Sequence, residues 1–213
     1  MSQDIEGNKN SYEQLAGEYT RRIYDELKDK PFDRELLDRF SLTVARAGPV
    51  YDIGCGPGHV ARYLHETGVD VTGVDLSPEM VEQARQLNPG LKFKVGNMAK
   101  LDLAENFLAG IVAFYSIIHI PRPQVVSVLQ EFSRVLRPGG WLLLAFHKGN
   151  EIRHFDTLWE IKVNLDFIFF EQKEMEDYLH MAGFEITESL ERAPYEGVEA
   201  APNRLYLLAC KPL

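Results

Sequence analysis

The sequence predicts an α/β fold, a doubly wound parallel sheet covered by helices on both faces. From Val50 onward, short apolar runs alternate with stretches of helical periodicity. Turn signals separate these segments, as at Ser77-Pro78 and at Pro138-Gly139-Gly140. Strands that alternate with helices form βαβ units, whose parallel strands are buried on both sides.

Two helices are predicted before the first strand. Ser11 and Gln14 have the spacing of a capping box at the start of a helix. A second helix is predicted after Asp33. The first helix is supported by large apolar or aromatic side chains at helical intervals, namely Tyr12, Leu15, Tyr19, Ile23 and Leu27.

The alternating segments follow in order along the rest of the chain. Strands are predicted over residues 50–53, 69–74, 91–95, 111–117 and 141–146, with helices near 58–67, 78–88 and 123–136. A polar loop comes next, then a β-like run over 163–170, a helix over about 171–182, and strands near 184–192 and 204–210. A chain of 213 residues with 45% hydrophobic side chains can form one core, so we expect a single domain.

Charge and cysteine content argue against several classes of protein. The formal net charge is −9, and an acidic surface repels phosphate backbones and anionic lipids, so we expect neither nucleic acid nor membrane as a partner. Cys55 and Cys210 form neither a disulfide framework nor a metal-binding pair, and no metal is expected. The first ten residues lack the apolar segment of a signal peptide, so the expected location is the cytoplasm.

The stretch YDIGCGPGHVARYL, from Tyr51 to Leu64, predicts a glycine-rich turn between a strand and a helix. Gly54 and Gly56 allow a ligand to approach the backbone closely. The following helix directs free N–H groups into the turn, which favours an anionic group there.

Two carboxylates narrow the choice of ligand. Asp75 ends the next strand, where an acidic residue can accept hydrogen bonds from both hydroxyls of a ribose. The dinucleotide fingerprint G-x-G-x-x-G is not matched, because His59 occupies the place of its third glycine. Asp52 would repel a pyrophosphate but suits an ammonium group. S-adenosylmethionine has both a carboxylate for the helix end and an amine for Asp52.

At this point the sequence resembles the class I S-adenosylmethionine-dependent methyltransferases. The segment DIGCGPG at 52–58 is similar to their first motif, and GVDLSPEM at 73–80 to their second. Residues 114–120 and 137–140 are similar to the region of the fourth strand and the turn into the fifth. The resemblance spans roughly residues 12–210, with its motifs within 50–147.

The resemblance implies a Rossmann-like sheet of seven strands, mostly parallel, with an antiparallel last strand. It divides the single domain of residues 1–213 into three parts. These are an N-terminal helical cap at 1–46, a cofactor-binding core at 47–147, and a substrate-side loop with the C-terminal strands at 148–213.

The resemblance also implies a site for S-adenosylmethionine along the glycine turn. Asp52 would bind the amine of the methionine moiety, Gly54 and Gly56 would lie against the cofactor, and Asp75 would bind the ribose. Tyr19 is assigned to the cofactor, because N-terminal helices in this family often close over it. An ordinary apolar stripe on that helix is the alternative.

The adenine end of that site is assigned to the segments after the second and third strands. Leu76 and Met80 would pack on the adenine. Asn97 and Met98 fall where many members have an acidic residue that accepts the adenine amino group, and an amide there makes a weaker bond. Tyr115 would form a wall of the pocket and could favour the sulfonium.

Candidates for chemistry at the acceptor follow the fourth and fifth strands. His119 and His147 are aimed toward the cofactor side and could act as a base if the acceptor arrives protonated, or could merely brace the site. His154 and Trp159 lie in the polar loop, which could be a binding loop or a solvated connector. Together with Tyr12 they are candidate contacts to the acceptor.

The predicted function is transfer of a methyl group from S-adenosylmethionine to a small-molecule acceptor, at an O, N or C atom that the sequence leaves open. Residues 113–116 read AFYS, not the Asn/Asp-Pro-Pro-aromatic motif of enzymes that methylate nucleic-acid amino groups. A non-catalytic module that binds S-adenosylmethionine or S-adenosylhomocysteine remains an alternative. An NAD(P)-dependent oxidoreductase is a further alternative, against which the glycine spacing and Asp52 both argue.

Overall fold

The computed structural model describes residues 5–199 and 201–213. Its helices are α1 (Ile5–Ile23), α2 (Pro31–Val44), α3 (His59–Glu66), α4 (Pro78–Leu87), α5 (Arg122–Val135) and α6 (Gln172–Met181). Its strands are β1 (Val50–Ile53), β2 (Val71–Asp75), β3 (Lys92–Val95), β4 (Leu108–Phe114), β5 (Leu136–His147), β6 (Ile152–Leu158), β7 (Ile161–Ile168), β8 (Glu185–Arg192) and β9 (Arg204–Cys210). None of the helices in these ranges is both long and apolar enough to cross a bilayer.

Seven of the strands form one sheet in the order β3-β2-β1-β4-β5-β9-β8. The strands from β3 to β5 pair in parallel, whereas β9 pairs antiparallel with both β5 and β8. The predicted fold class, a mostly parallel seven-stranded sheet with an antiparallel last strand, is therefore confirmed. The strand order reverses between β1 and β4, and ligands of such sheets bind at the carboxyl ends of the strands beside this reversal.

Two clusters of buried side chains cover the sheet. Successive residues of β5 alternate between them, because neighbouring side chains of a strand point to opposite faces. Leu142 and Leu144 belong to the cluster that contains residues of α5 and α6. Leu143 and Ala145 belong to the cluster that contains residues of α2, α3 and α4. The sheet is thus buried on both faces, as expected for parallel strands.

The start of α1 differs from the predicted capping box. The described part of α1 already runs from Ile5, so Ser11 lies inside the helix and its hydroxyl donates to the carbonyl of Gly7 at 2.9 Å. The same hydroxyl accepts the N–H of Asn164 in β7 at 2.9 Å. Ser11 therefore connects α1 to β7 rather than starting a helix.

The predicted polar loop is mostly a strand, which is a second correction. Residues 152–158 form β6, which pairs antiparallel with β7 in a separate two-stranded sheet. Trp159 and Glu160 make the turn, both with positive φ (50° and 67°), as a tight hairpin turn requires. The strand was missed because its side chains are mostly exposed, so no apolar alternation marks it.

The predicted fourth strand ended too late. β4 stops at Phe114, and Ile117–His119 form a single 3₁₀ turn. His119 therefore lies on a compact turn above the end of β4.

Gly110 allows α2 to pack closely on β4. A Cβ built at this position would lie 2.9 Å from Cζ of Phe40 and 3.0 Å from Cγ1 of Val44, closer than real Cβ contacts normally are. We expect Gly110→Ala to lower the free energy of unfolding by about 1–3 kcal/mol through overpacking, measured by urea denaturation.

Gly17→Ala is the matched control for this prediction. Gly17 lies inside α1 with nothing within 4 Å of an added Cβ, so the same change should stabilise the helix by about 0.5–1 kcal/mol. Equal stability of Gly110→Ala and the native protein would show that α2 does not need this space.

Candidate functional site

A cavity opens at the carboxyl ends of β1, β2 and β4, where the strand order reverses. It encloses about 1170 Å³, including the part open to solvent, which is ample for a nucleoside-sized ligand. Its walls come from the glycine turn after β1, the ends of β2 and β4, the segment after β3, and α1. The helix α1 covers the cavity because it packs against α4 and β7.

The glycine turn forms the floor of the cavity. Gly54 and Gly56 have φ values of 74° and 50°. A Cβ at Gly54 would lie 2.2 Å from Cβ of Ser116, whose hydroxyl donates to the carbonyl of Ile53 at 2.7 Å. A Cβ at Gly56 would lie 3.5 Å from Cε1 of Tyr19. Gly54 is thus required by the contact between the β1 and β4 turns, while Gly56 lies directly under α1.

Asp75 lies in the cavity wall with its carboxylate held by the backbone. Oδ2 accepts the N–H of Gly56 at 2.8 Å and Oδ1 accepts the N–H of Ser77 at 2.9 Å. Burial raises the pKa of Asp75, and these backbone donors oppose the rise. Each oxygen retains lone pairs that a pair of hydroxyl groups could use.

Part of the cavity lining is apolar. Leu76, Met80 and Met98 belong to it, and Met80 is fixed in the first turn of α4 by the Ser77 cap. Asn97 also lines the cavity, but its Oδ1 already accepts the N–H of Ala99 at 2.8 Å. The Asn97 amide therefore shapes the turn after β3, and its assignment to an adenine amino group stays a prediction.

Asp52 does not line the cavity. The residue is 1% exposed, and its carboxylate accepts a hydrogen bond from the backbone of Ala61 in the first turn of α3. Oδ2 has no hydrogen-bond partner among the described residues. Burial raises the pKa of Asp52 to about 7, with a further rise from the negative charge of Asp75. Its assignment to an amine stays a prediction.

Tyr12 and His119 form a hydrogen-bonded pair in the cavity wall. Tyr12 OH lies 2.7 Å from Nε2 of His119, and Nδ1 of His119 lies 3.1 Å from the carbonyl oxygen of Asp166. A carbonyl only accepts, so Nδ1 carries the proton, and in the neutral ring the Tyr12 hydroxyl donates to Nε2. Burial lowers the pKa of His119 to about 4, so the ring is neutral at pH 7.

Tyr115 lines the cavity with a backbone φ of 52°, which is unusual for a side chain of this size. Its hydroxyl lies 3.0 Å from that of Tyr206. Behind its ring lies His147, at 5.2 Å between centroids. His147 is outside the cavity lining, and burial lowers its pKa to about 3, with the charges of Arg204 and Lys30 adding to the effect.

The remaining predicted acceptor contacts lie on the hairpin of β6 and β7. His154 bonds to the carboxylates of Asp166 at 2.7 Å and Asp156 at 3.1 Å on an exposed face, away from the cavity lining. Trp159 packs on Tyr19 at 6.0 Å between ring centroids. Tyr19 itself lines the cavity. Trp159 therefore packs on α1 from outside the cavity lining.

Glu26 and His59 line the cavity but were not predicted as site residues. Glu26 belongs to a 3₁₀ turn (Glu26–Asp29) between α1 and α2, and no sequence motif marks it. His59 is the first residue of α3, and its Nε2 lies 3.3 Å from Oε1 of Glu26. The signal available in the sequence was a histidine in place of the third glycine of a dinucleotide turn.

Glu26 is the end of a buried chain of charged groups. Its Oε2 lies 2.8 Å from Nζ of Lys30, which lies 3.2 Å from Oε1 of Glu199. Glu199 pairs with Arg192, whose Nη2 lies 2.7 Å from Oδ2 of Asp33. The chain continues to Arg204 beside Glu199 and to the hydroxyl of Tyr206 beside Asp33. It connects the cavity to the segment between β8 and β9.

Comparison with known proteins shows similarity to methyltransferases. Residues 50–140 match the family model described as a methyltransferase domain. The malonyl-[acyl-carrier protein] O-methyltransferase of Pectobacterium atrosepticum is 28% identical over 151 residues, which are 70% of this chain and 56% of that protein. Methyltransferase GfsG of Streptomyces halstedii is 37% identical over 111 residues, 49% of this chain and 39% of that protein.

Solved structures agree on the fold. An S-adenosylmethionine-dependent methyltransferase of Methanosarcina mazei superposes with a TM-score of 0.70 at 22% identity, covering 78% of this chain and 92% of that one. The chain spans about half or less of the length of the curated relatives that it matches. Residues 50–140 are thus similar to a methyltransferase domain, and the fold is that of S-adenosylmethionine-dependent methyltransferases.

The cofactor of this family is S-adenosylmethionine, and the residues of the cavity fit it. Asp75 presents an anchored carboxylate suited to ribose hydroxyls, beside the apolar lining formed by Leu76 and Met80. Buried Nδ1 of His59, which also lines the cavity, has no partner among the described residues. The lining thus offers apolar contacts for an adenine, an acceptor for ribose hydroxyls and polar groups for a methionine moiety.

Asp75→Ala tests the ribose assignment. The change removes a charged acceptor and two supports of the turn, so we expect S-adenosylhomocysteine to bind about 10- to 150-fold more weakly, measured by calorimetry. An unchanged dissociation constant in a folded variant would refute the assignment.

Asp52→Asn tests the buried carboxyl by its effect on stability. With a pKa of about 7 in the folded protein, against an ordinary 3.8, the carboxyl contributes stability below pH 3.8 that is lost as the pH rises through 7. Asparagine has no such titration. The unfolding free energy of the native protein, relative to the variant, should therefore fall by up to about 4 kcal/mol between pH 4 and pH 8. Parallel pH profiles would show that Asp52 is ionised throughout.

Proposed function

We propose that this chain transfers a methyl group from S-adenosylmethionine to a small-molecule acceptor. The observation that supports it best is that the Asp75 carboxylate and the Tyr12–His119 pair line the same cavity. A cofactor placed along this cavity would have its adenine near Met80 and its ribose at Asp75. The sulfonium of the bound cofactor supplies an electrophilic methyl group.

The Tyr12–His119 pair is suited to remove a proton from the acceptor. A proton from the acceptor passes to Oη of Tyr12 as the phenolic proton of Tyr12 moves to Nε2 of His119. The imidazole becomes an imidazolium and the phenol is regenerated. The carbonyl of Asp166 keeps Nδ1–H oriented so that Nε2 remains the acceptor.

The helix α1 contributes by covering the reacting groups. Tyr12 and Tyr19 both line the cavity, and their rings pack edge to face at 5.8 Å between centroids. Tyr19 in turn packs on Trp159 of the hairpin turn. A covered cavity excludes water and aligns the acceptor with the methyl group, and alignment can supply about 7–11 kcal/mol of the barrier reduction.

Support for a small acceptor comes from the relatives and from the charge of the chain. The Pectobacterium relative is named as an O-methyltransferase of malonyl-[acyl-carrier protein], whose acceptor is an acyl group on a carrier protein and not a nucleic acid. The net charge of −9 disfavours polyanionic substrates. We expect the enzyme to act in the cytoplasm.

Incubation of the purified protein with labelled S-adenosylmethionine and fractionated metabolite pools tests the proposal. Transfer of label to a low-molecular-weight product is expected. Tight binding of S-adenosylhomocysteine without any labelled product would instead favour the non-catalytic module.

Tyr12→Phe tests the proton transfer on the product found in that screen. For an acceptor that arrives protonated, we expect kcat to fall about 10²- to 10⁴-fold while S-adenosylhomocysteine affinity is unchanged. Tyr24→Phe is the control, because it removes a hydroxyl that bonds to Asn88 outside the cavity.

The pH profile gives an independent check. The neutral form of His119 is the active one, so activity should be lost as the pH falls through about 4 and should show no titration near 6.5. Full activity of Tyr12→Phe, or a step near 6.5 that His119→Gln abolishes, would contradict the proposed proton path.

A further inference from the structure

The methionine end of the cavity needs an acceptor for an ammonium group. Asp75 is the carboxylate assigned to the ribose, and Asp52 is outside the lining. Among the described residues that line the cavity, Glu26 and Asp75 are the carboxylates. Glu26 contacts His59 and lies near Tyr19, which covers Gly56 of the glycine turn.

We propose that Glu26, rather than Asp52, binds the amino group of the cofactor's methionine moiety. The assignment rests on S-adenosylmethionine being the ligand, as proposed above. It places an essential part of the cofactor site in the 3₁₀ turn between α1 and α2, outside residues 50–140 that match the family model.

The geometry at Glu26 leaves room for further donors. Oε2 faces Lys30 at 2.8 Å and Oε1 faces His59 at 3.3 Å. A carboxylate offers about four lone-pair positions, so two remain for an ammonium group. Burial opposes the ionisation of Glu26, but His59 and Lys30 outweigh it and hold the pKa at about 2, so the carboxylate is charged.

His59 contributes a second polar atom beside Glu26. The Glu26 carboxylate only accepts, so Nε2 of His59 carries the proton in this contact. Nδ1 of His59 is a buried atom without a hydrogen-bond partner among the described residues. A polar group of the bound amino-acid moiety would satisfy it, which removes the cost of leaving a buried polar atom unpaired.

The charge of the surroundings favours a zwitterion. The buried chain balances three carboxylates, Glu26, Glu199 and Asp33, against three cations. The cations are Lys30, Arg192 and Arg204. An amino-acid group carries an ammonium and a carboxylate, so it adds no net charge to this neutral set. Its carboxylate would face the free N–H groups at the start of α3.

The experiment compares three ligands by calorimetry: S-adenosylhomocysteine, its analogue without the amino group, and 5′-methylthioadenosine, which lacks the whole amino-acid part. We expect Glu26→Gln to weaken binding of S-adenosylhomocysteine about 10- to 100-fold. Binding of the other two ligands should change less than about twofold, because neither carries the ammonium group of the amino-acid moiety.

Glu199→Gln is the matched control. Glu199 shares Lys30 with Glu26 and is equally part of the buried chain, but it does not line the cavity. The same substitution there should lower the melting temperature and leave all three affinities unchanged. Asp52→Asn should likewise leave them unchanged. If Glu26→Gln does not fold, Glu26→Asp keeps the charge, and we expect it to weaken S-adenosylhomocysteine selectively.

Several results would overturn the assignment. Equal losses for all three ligands in Glu26→Gln would mean that Glu26 only supports the fold. A selective loss of S-adenosylhomocysteine binding in Asp52→Asn, with Glu26→Gln unaffected, would return the amine to Asp52. If the native protein binds 5′-methylthioadenosine and S-adenosylhomocysteine equally, no amine site exists. If neither S-adenosylhomocysteine nor 5′-methylthioadenosine binds to the native protein, the proposed function itself is refuted, and the Glu26 assignment with it.

Discussion

The contact between Gly54 and Ser116 is the constraint on which the site depends. It brings the turns after β1 and β4 together at the reversal of strand order, where no side chain at position 54 would fit. The Ser116 hydroxyl stabilises this contact by donating a hydrogen bond to the carbonyl of Ile53. Ser116 follows Tyr115 and precedes the 3₁₀ turn of His119, so the same contact positions both residues at the cavity.

The N-terminal segment completes the cavity that the sheet leaves open. Ser11 bonds α1 to β7, Tyr12 bonds to His119, and Tyr19 lies over Gly56. Glu26, just beyond α1, belongs to the buried chain of charges that reaches the segment between β8 and β9. Removing one partner from a buried ionic network is costly, so this network ties the two ends of the chain to the cofactor site.

The structure brings part of the predicted site residues together in one cavity. Tyr12, Tyr19, Asp75, Tyr115 and His119 line one cavity, as do the residues predicted for the adenine end, Leu76, Met80, Asn97 and Met98. Their motifs follow strands, and the carboxyl ends of parallel strands meet at one edge. Asp52, His147 and His154 lie outside the lining. A strand residue points to one face or the other according to local twist and packing, which a motif does not specify.

The sequence by itself determined the α/β class, the alternation of strands and helices along the chain, and the glycine turn. These features follow from periodicity and turn chemistry, which are local properties. It did not reveal β6, whose exposed side chains lack alternation, or the interior position of Ser11, whose hydroxyl bonds backward along its own helix. The tertiary structure decided which polar groups meet. Glu26 and His59 are 33 positions apart (59 − 26), and only packing of α2 and α3 on one face of the sheet brings them within 3.3 Å.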